Sequence, residues 1–183
     1  RNEIAVFFQP IADASDCRLV GMEALARWRH PSRGLVSPLE FIPLAEETGL
    51  IIPIGEAVLR AACQQLKLWH DAGSTGLYVT VNLSGLQLQQ VNFIDTLRSA
   101  LQDTGVNPSC LTLEITESML MVHADETLLL LKALKATGVG LAIDDFGTGY
   151  SSLAYLRRFP VDVLKIDRAF TRDMTQNVDD ASI

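Results

Sequence analysis

Long apolar runs are missing from this sequence. Its strongest apolar stretch, Leu128 to Leu131, falls far short of the ~20 residues that a membrane-spanning helix needs. No basic segment leads into an apolar run and a cleavage site, so no secretory leader is visible. Cysteine is scarce: Cys17, Cys63 and Cys110 are odd in number, far apart and in no Cys-x-x-Cys pair. That argues against a disulfide framework or a zinc site and for reduced, mostly buried thiols in a cytoplasmic setting. Histidine is as scarce, and His30, His70 and His123 follow turns or helix ends, where they read as surface residues. Positive charge is in deficit, with Lys+Arg 15 against Asp+Glu 22 and a net charge of −7. A non-specific binder of DNA or RNA polymers needs a basic face and is excluded on that ground. A small phosphate ligand is not, because a bound cation can reverse a local field.

What is present is the composition of a folded domain. Of 183 residues 48% are apolar and 20% charged, enough for one core and too apolar for a disordered chain. Two strand-like runs, Ile4 to Phe8 and Leu19 to Leu25, are separated by about ten residues rich in turn formers, too few for a crossover helix, so they predict an antiparallel hairpin. A strand and helix alternation follows. Ser37-Pro38-Leu39-Glu40 reads as a capping box with proline at the first helical position, closed by Gly49. A second helix covers Glu56 to His70, and a third runs from an Asn92 cap to Gln102 and stops at Gly105. Asp125 to Ala136 and Ser152 to Arg158 are further helices; Leu77 to Val81, Leu111 to Ile115, Val139 to Ile143 and Val161 to Ile166 are strands. The pattern is an α/β one, a parallel sheet with helices outside. A closed eight-stranded barrel takes ~200 residues or more; six strands are found here, two short of closure, and the final residues to Ile183 end in mid-pattern.

The strands stop being apolar in a consistent way. Met22 leads to Glu23, Val81 to Asn82, Leu113 to Glu114, Ile143 to Asp144 and Asp145, and Leu164 to Lys165 and Asp167. Parallel strands present their carboxyl ends on one face, so these side chains should converge. Each has a plain alternative (Asn82 a turn residue, Lys165 a solvated charge, Asp144-Asp145 a turn before Gly147), but the repetition of the break favours a site. Oxygen donors without His or Cys suit Mg²⁺ or Mn²⁺ rather than zinc. Gly147 and Gly149, one residue apart, give a loop backbone freedom and a close approach to a ligand; the loop matches neither a dinucleotide fingerprint nor a P-loop.

Glu23-Ala24-Leu25, within Gly21 to Trp28, resembles the motif that names the EAL domains, bacterial phosphodiesterases that open cyclic di-GMP to linear pGpG. The resemblance continues through Phe8-Gln9-Pro10, the segment from Phe41 to Glu46, Asn82-Leu83-Ser84, the segment from Leu113 to Glu117, that from Asp144 to Gly149, and Leu164 to Asp167. It implies a (β/α)8 TIM-like barrel with an antiparallel first strand, here residues 1–183 of such a domain without its C-terminal part. It implies that Glu23, Asn82, Glu114 and Asp144 hold a metal, with Asp144 shared and Asp145 serving a second ion, so two Mg²⁺ or Mn²⁺ in all. By the same resemblance Lys165 orients or polarises the attacking water, Asp167 supports it, and Gln9, Leu25 and Arg27 contact substrate, while Glu117 anchors the loop at Gly147 and Gly149. The four carboxylates Glu23, Glu114, Asp144 and Asp145 with Lys165 carry net −3, which two divalent cations would more than offset. The implied setting is a cytoplasmic homodimer, with sensory or GGDEF domains in a longer chain anchored at the inner membrane. The competing reading is a catalytically inactive cyclic di-GMP receptor or protein-interaction module of the same fold.

Overall fold

The computed structural model describes residues 3–121, 124–147 and 157–171. The hairpin is there: β1 (Ile4–Ala12) and β2 (Leu19–His30) pair antiparallel, with Gln9 opposite Glu23 and Phe7 opposite Leu25. Its turn is closed by Asp13, whose carboxylate accepts bonds from the Ser15 N–H and hydroxyl. β2 runs five residues past the apolar stretch that marks it in the sequence, because β3 (Gly34–Val36) folds back onto Trp28, Arg29 and His30. The parallel strands β4 (Tyr78–Asn82), β5 (Leu111–Thr116), β6 (Gly140–Phe146) and β7 (Val163–Ile166) follow. The sheet has seven strands rather than six, in the order β1-β2-β4-β5-β6-β7 with β3 beside β2. Among the described residues it is open, with β1 and β7 as its edges.

The helices are α1 (Pro38–Glu47), α2 (Ile51–Asp71), α3 (Gly85–Leu88), α4 (Phe93–Thr104), α5 (Glu117–Met121), α6 (Ala124–Lys135) and α7 (Arg168–Thr171). The capping box expected at Ser37 does not form: the serine makes no side-chain cap, and Glu40 pairs instead with Arg33 at 2.6 Å. Asn92 also precedes its helix without a side-chain cap. A capping box does form one helix earlier, between Ser84 and Gln87. The helix expected from Ser152 lies outside the described residues except for Arg157 and Arg158, which form a turn. No described helix is long and apolar enough to cross a membrane. The three thiols are free, with Cys63 buried, Cys110 half-buried and Cys17 exposed. His30 and His70 are half-buried rather than fully at the surface, and a His70 ring nitrogen lies 2.8 Å from the Leu77 carbonyl oxygen.

Alternation along the strands divides the sheet into two unlike faces. Val79, Val81, Leu111, Leu113, Leu141 and Ile143 are fully buried on the outer face, in one cluster with Leu59 and Leu66 of α2, Leu97 of α4, and Leu131 and Leu134 of α6. Each such side chain contributes roughly 1.5–3 kcal/mol on leaving water, so this layer holds the sheet against its helices. The intervening residues, among them the polar Thr80, Thr112 and Glu114, fall on the inner face.

Where β6 begins, Asp162 ties the foot of the sheet together. Its carboxylate accepts from the Leu141 N–H at 2.8 Å and from Lys135 Nζ at 2.7 Å, while its own N–H donates to the Leu141 carbonyl. Partial burial raises the Asp162 pKa, but the bonds from Lys135 and Leu141 outweigh it and hold the group below the usual aspartate range. Its stabilisation is therefore complete above the ordinary aspartate pKa of about 3.9 and is lost as pH falls through the lower folded value. Asp162→Ala should cost about 1–2 kcal/mol in urea unfolding at pH 7, and the difference from wild type should shrink steadily below pH 4.

Candidate functional site

Register explains why residues far apart in sequence meet. Glu23 lies beside Thr80, Thr80 beside Thr112, and Thr112 beside Gly140, which makes one inner row. One step toward the carboxyl ends, Asn82, Glu114 and Ala142 make a second, and Thr116 stands beside Asp144 in a third. Asn82 reaches to the first row, its Nδ2 donating to Glu23 Oε1 at 2.9 Å.

Lys165 is the centre of this face. Its Nζ lies 2.7 Å from Glu114 Oε2, 3.2 Å from Asp144 Oδ1 and 3.4 Å from Glu23 Oε2. Burial disfavours the ammonium, yet the bond and charge of Glu114, with Glu23 and Asp144 behind, outweigh it and push the lysine pKa well above its usual value. The Glu114 side chain is wholly buried, which raises its pKa against the pull of Lys165, and the Glu23 charge adds to the rise. The Thr80 hydroxyl lies near enough to favour the carboxylate, but neither Thr80 Oγ1 nor Glu114 Oε1 completes a hydrogen bond. An acceptor left so in the interior costs about 1–3 kcal/mol.

Asp144 and Asp145 occupy a β-bulge. Ile143 pairs with Leu164 and Phe146 with Ile166, so two residues of β6 face the single residue Lys165. Asp145 takes φ 55°, a left-handed conformation that aspartate tolerates better than most side chains. The extra residue turns two successive acids toward the mouth of the sheet, the re-aiming that bulges provide beside active sites. Burial raises the Asp145 pKa, and the charges of Asp144 and Asp167 raise it further, against Lys165. Asp167 caps the short α7 by accepting from the Ala169 N–H. Glu117, buried at the start of α5, accepts from the Gly147 N–H at 3.0 Å and so pins the loop after the bulge. Gly147 has φ +99°, and a Cβ there would strike the Phe170 ring at 2.8 Å. Gly149 lies outside the described residues.

A cleft of about 520 Å³ opens beside this cluster, lined among others by Leu25, Arg27, Glu46, Asn82 and Ser84. The Arg27 guanidinium lies 5.6 Å from the centre of the Phe7 ring, which prearranges it through a cation–π contact. Gln9 is exposed opposite Glu23, outside the lining of this cleft. Among the described residues no three His, Cys, Asp or Glu side chains are already gathered as a ligand cluster, and Lys165 Nζ stands among the carboxylates instead. What converges is a mixed set of carboxylates, one amide and one ammonium. All its acceptors are oxygen, the donor type a hard cation takes, and the unbonded Glu114 Oε1 leaves one of them available.

Three further residues border the site without standing out in the sequence: Tyr78, near the charges of Glu114 and Lys165, Thr80 beside Glu114, and Gln87 in the cleft lining. Period-two alternation in β4 marks Tyr78 and Thr80 for the inner face beside Asn82, and Ser84-x-x-Gln87 has the spacing of a capping box.

A family model described as the EAL domain matches residues 1–183. The chain belongs to the EAL domain family. Among curated proteins, this EAL domain is 49% identical over 183 residues to the bifunctional diguanylate cyclase/cyclic di-GMP phosphodiesterase MucR of Pseudomonas aeruginosa, covering 100% of the chain and 27% of that protein. It is 45% identical over 182 residues to the cyclic di-GMP phosphodiesterase NbdA of the same organism, covering 100% of the chain and 23% of NbdA. The chain thus spans about a quarter of the length of these relatives. A solved structure of the PaMucR phosphodiesterase in complex with c-di-GMP superposes with a TM-score of 0.93 at 48% identity, over 98% of this chain and 73% of that one. The FimX EAL domain from Pseudomonas aeruginosa bound to c-di-GMP gives 0.86 at 26% identity, over 99% and 72%.

Removing the central cation tests the electrostatic description. Lys165→Met leaves the buried Glu114 carboxylate facing Glu23 and Asp144. Because Lys165 keeps 29% of its side-chain exposure, the loss should be about 1–3 kcal/mol, below the ~3–5 kcal/mol of a fully buried pair. The double variant Glu114→Gln/Lys165→Met should recover part of it in urea unfolding.

Proposed function

We propose that this EAL domain hydrolyses cyclic di-GMP to linear pGpG, using Mg²⁺ or Mn²⁺. The observation that carries this reading is the convergence of Glu23, Asn82, Glu114 and Asp144 from four strands around Lys165, beside a cleft that presents Arg27. Glu23, Asn82, Glu114 and Asp144 would hold one ion, and Asp145 would join Asp144 at a second. When bound, two divalent ions acidify a water nucleophile and stabilise the leaving oxygen of an in-line displacement.

The chain's own residues supply the rest. Lys165, ion-paired with Glu114, Glu23 and Asp144, stands where it orients the attacking water and offsets charge growing on the phosphoryl oxygens. Asp167, which shares the edge of the bulge with Asp145, supports Lys165. Arg27, already seated on Phe7, clamps a phosphate oxygen pair. Leu25 supplies an apolar wall and Gln9 an amide for the base. Glu117 keeps the bulge in place through Gly147. The similarity to MucR and NbdA supports the choice of cyclic di-GMP, and their greater length supports a place within a larger signalling chain that carries sensory or GGDEF domains. The same reading has the domain act as a homodimer on the cytoplasmic side of the membrane.

The experiment is incubation of the full-length protein with cyclic di-GMP and Mn²⁺, following pGpG by chromatography. Turnover is expected, and Glu23→Ala should lower it by roughly 100-fold or more, as loss of a metal ligand does. Tight binding of cyclic di-GMP without pGpG would replace the enzyme by a receptor.

A further inference from the structure

Asn82 is exposed at the end of β4, and only two residues, Leu83 and Ser84, link it to α3. The Leu83 N–H donates to the Glu114 carbonyl at 2.9 Å, which fixes the near side of the segment to β5. The far side is fixed by Gln87. The Ser84 N–H and hydroxyl both donate to Gln87 Oε1, at 3.2 and 3.1 Å, and the Gln87 N–H returns a bond to Ser84 Oγ at 3.2 Å. Gln87 is only 3% exposed. Its side chain fits there because α2 offers a glycine: a Cβ on Gly55 would overlap the Gln87 amide group. Glycine inside a helix is less stable than alanine, and here the close approach of Gln87 leaves no room for a Cβ.

We propose that Gln87, seated against Gly55, is a positioning residue for Asn82 and through it for Glu23, and that this clamp sets the cation affinity of the site. The inference rests on the metal-dependent reading of the site. A four-residue helix such as α3 (Gly85–Leu88) has almost no stability of its own. Without the Gln87 acceptor the Ser84 backbone is free to shift, and the Asn82 amide loses its approach to Glu23 Oε1. Groups that orient ligands in this way change metal affinity by about 10–100-fold when removed.

The test uses the full-length protein and three variants. Gln87→Met keeps the volume and removes the acceptor; Gly55→Ala displaces the amide from the other side. Leu97→Ala, in the core under α4 and remote from the cleft lining, serves as a control for lost stability. Free Mn²⁺ is followed by electron paramagnetic resonance, and thermal midpoints are measured alongside. The expected result is a 10–100-fold rise in the Mn²⁺ dissociation constant for Gln87→Met and Gly55→Ala, with Leu97→Ala binding as wild type despite a lower midpoint. Wild-type affinity in the first two variants, or an equal loss in Leu97→Ala, overturns the proposal. Should the wild type bind Mn²⁺ but form no pGpG, the hydrolase reading fails and the clamp is still judged on affinity.

Discussion

One ammonium group organises this structure's inner face. Lys165 Nζ stands among Glu114, Glu23 and Asp144, and so joins β7 to β5, β2 and β6 in a single electrostatic contact. Three carboxylates gathered at one mouth would repel each other strongly enough to shift protons or strands. The lysine allows all three to remain near one another, and burial of Glu114 makes the arrangement sensitive to any change of charge. A cluster of this kind is weak evidence for stability, because desolvation consumes much of the Coulomb gain. Its effect is to hold charged groups from four strands in fixed positions at one mouth of the sheet.

Stability comes from the other face. Leucine, isoleucine and valine from β4, β5 and β6 pack on α2, α4 and α6 with almost no residual exposure. This division lets the inner face carry threonine, glutamate and lysine without weakening the core. It also keeps the strand ends rigid, so that small local devices can aim side chains. The β6 bulge places both Asp144 and Asp145 at the mouth, with Asp145 in a backbone conformation that few residues accept. Glu117 then holds the chain immediately after it, and the Ser84–Gln87 capping box holds the chain immediately after Asn82. Two of the loops that leave the site are thus fixed by buried polar side chains from neighbouring short helices.

Much of this was legible in the sequence because it is periodic or local. Apolar runs marked β1, β4, β5, β6 and β7 within a few residues, and the short span between β1 and β2 forced an antiparallel pair. The apolar-to-acidic breaks at Glu23, Glu114 and Asp144 pointed to one face, since parallel strands leave no other place for their ends. Where local cues competed, the sequence misled: Ser37 and Glu40 have the spacing of a capping box, but Arg33, brought close by the β2–β3 turn, takes the glutamate. The three-residue β3 carries too little pattern to stand out, and it exists only because the end of β2 offers it a partner.

The sequence by itself determined which residue types occur at which strand ends and which face of each strand is apolar, because side-chain alternation is a property of the backbone. Only the tertiary structure decided which groups answer one another. Lys165 and Glu23 are 142 positions apart, and nothing local to either specifies the other. Their meeting depends on the register of four strand pairs and on one extra residue in β6. The same holds for Gly55 and Gln87, whose relation is a matter of contact between α2 and α3. Register and helix packing are settled by the burial of the whole outer face, a collective effect, and no short stretch of residues encodes it.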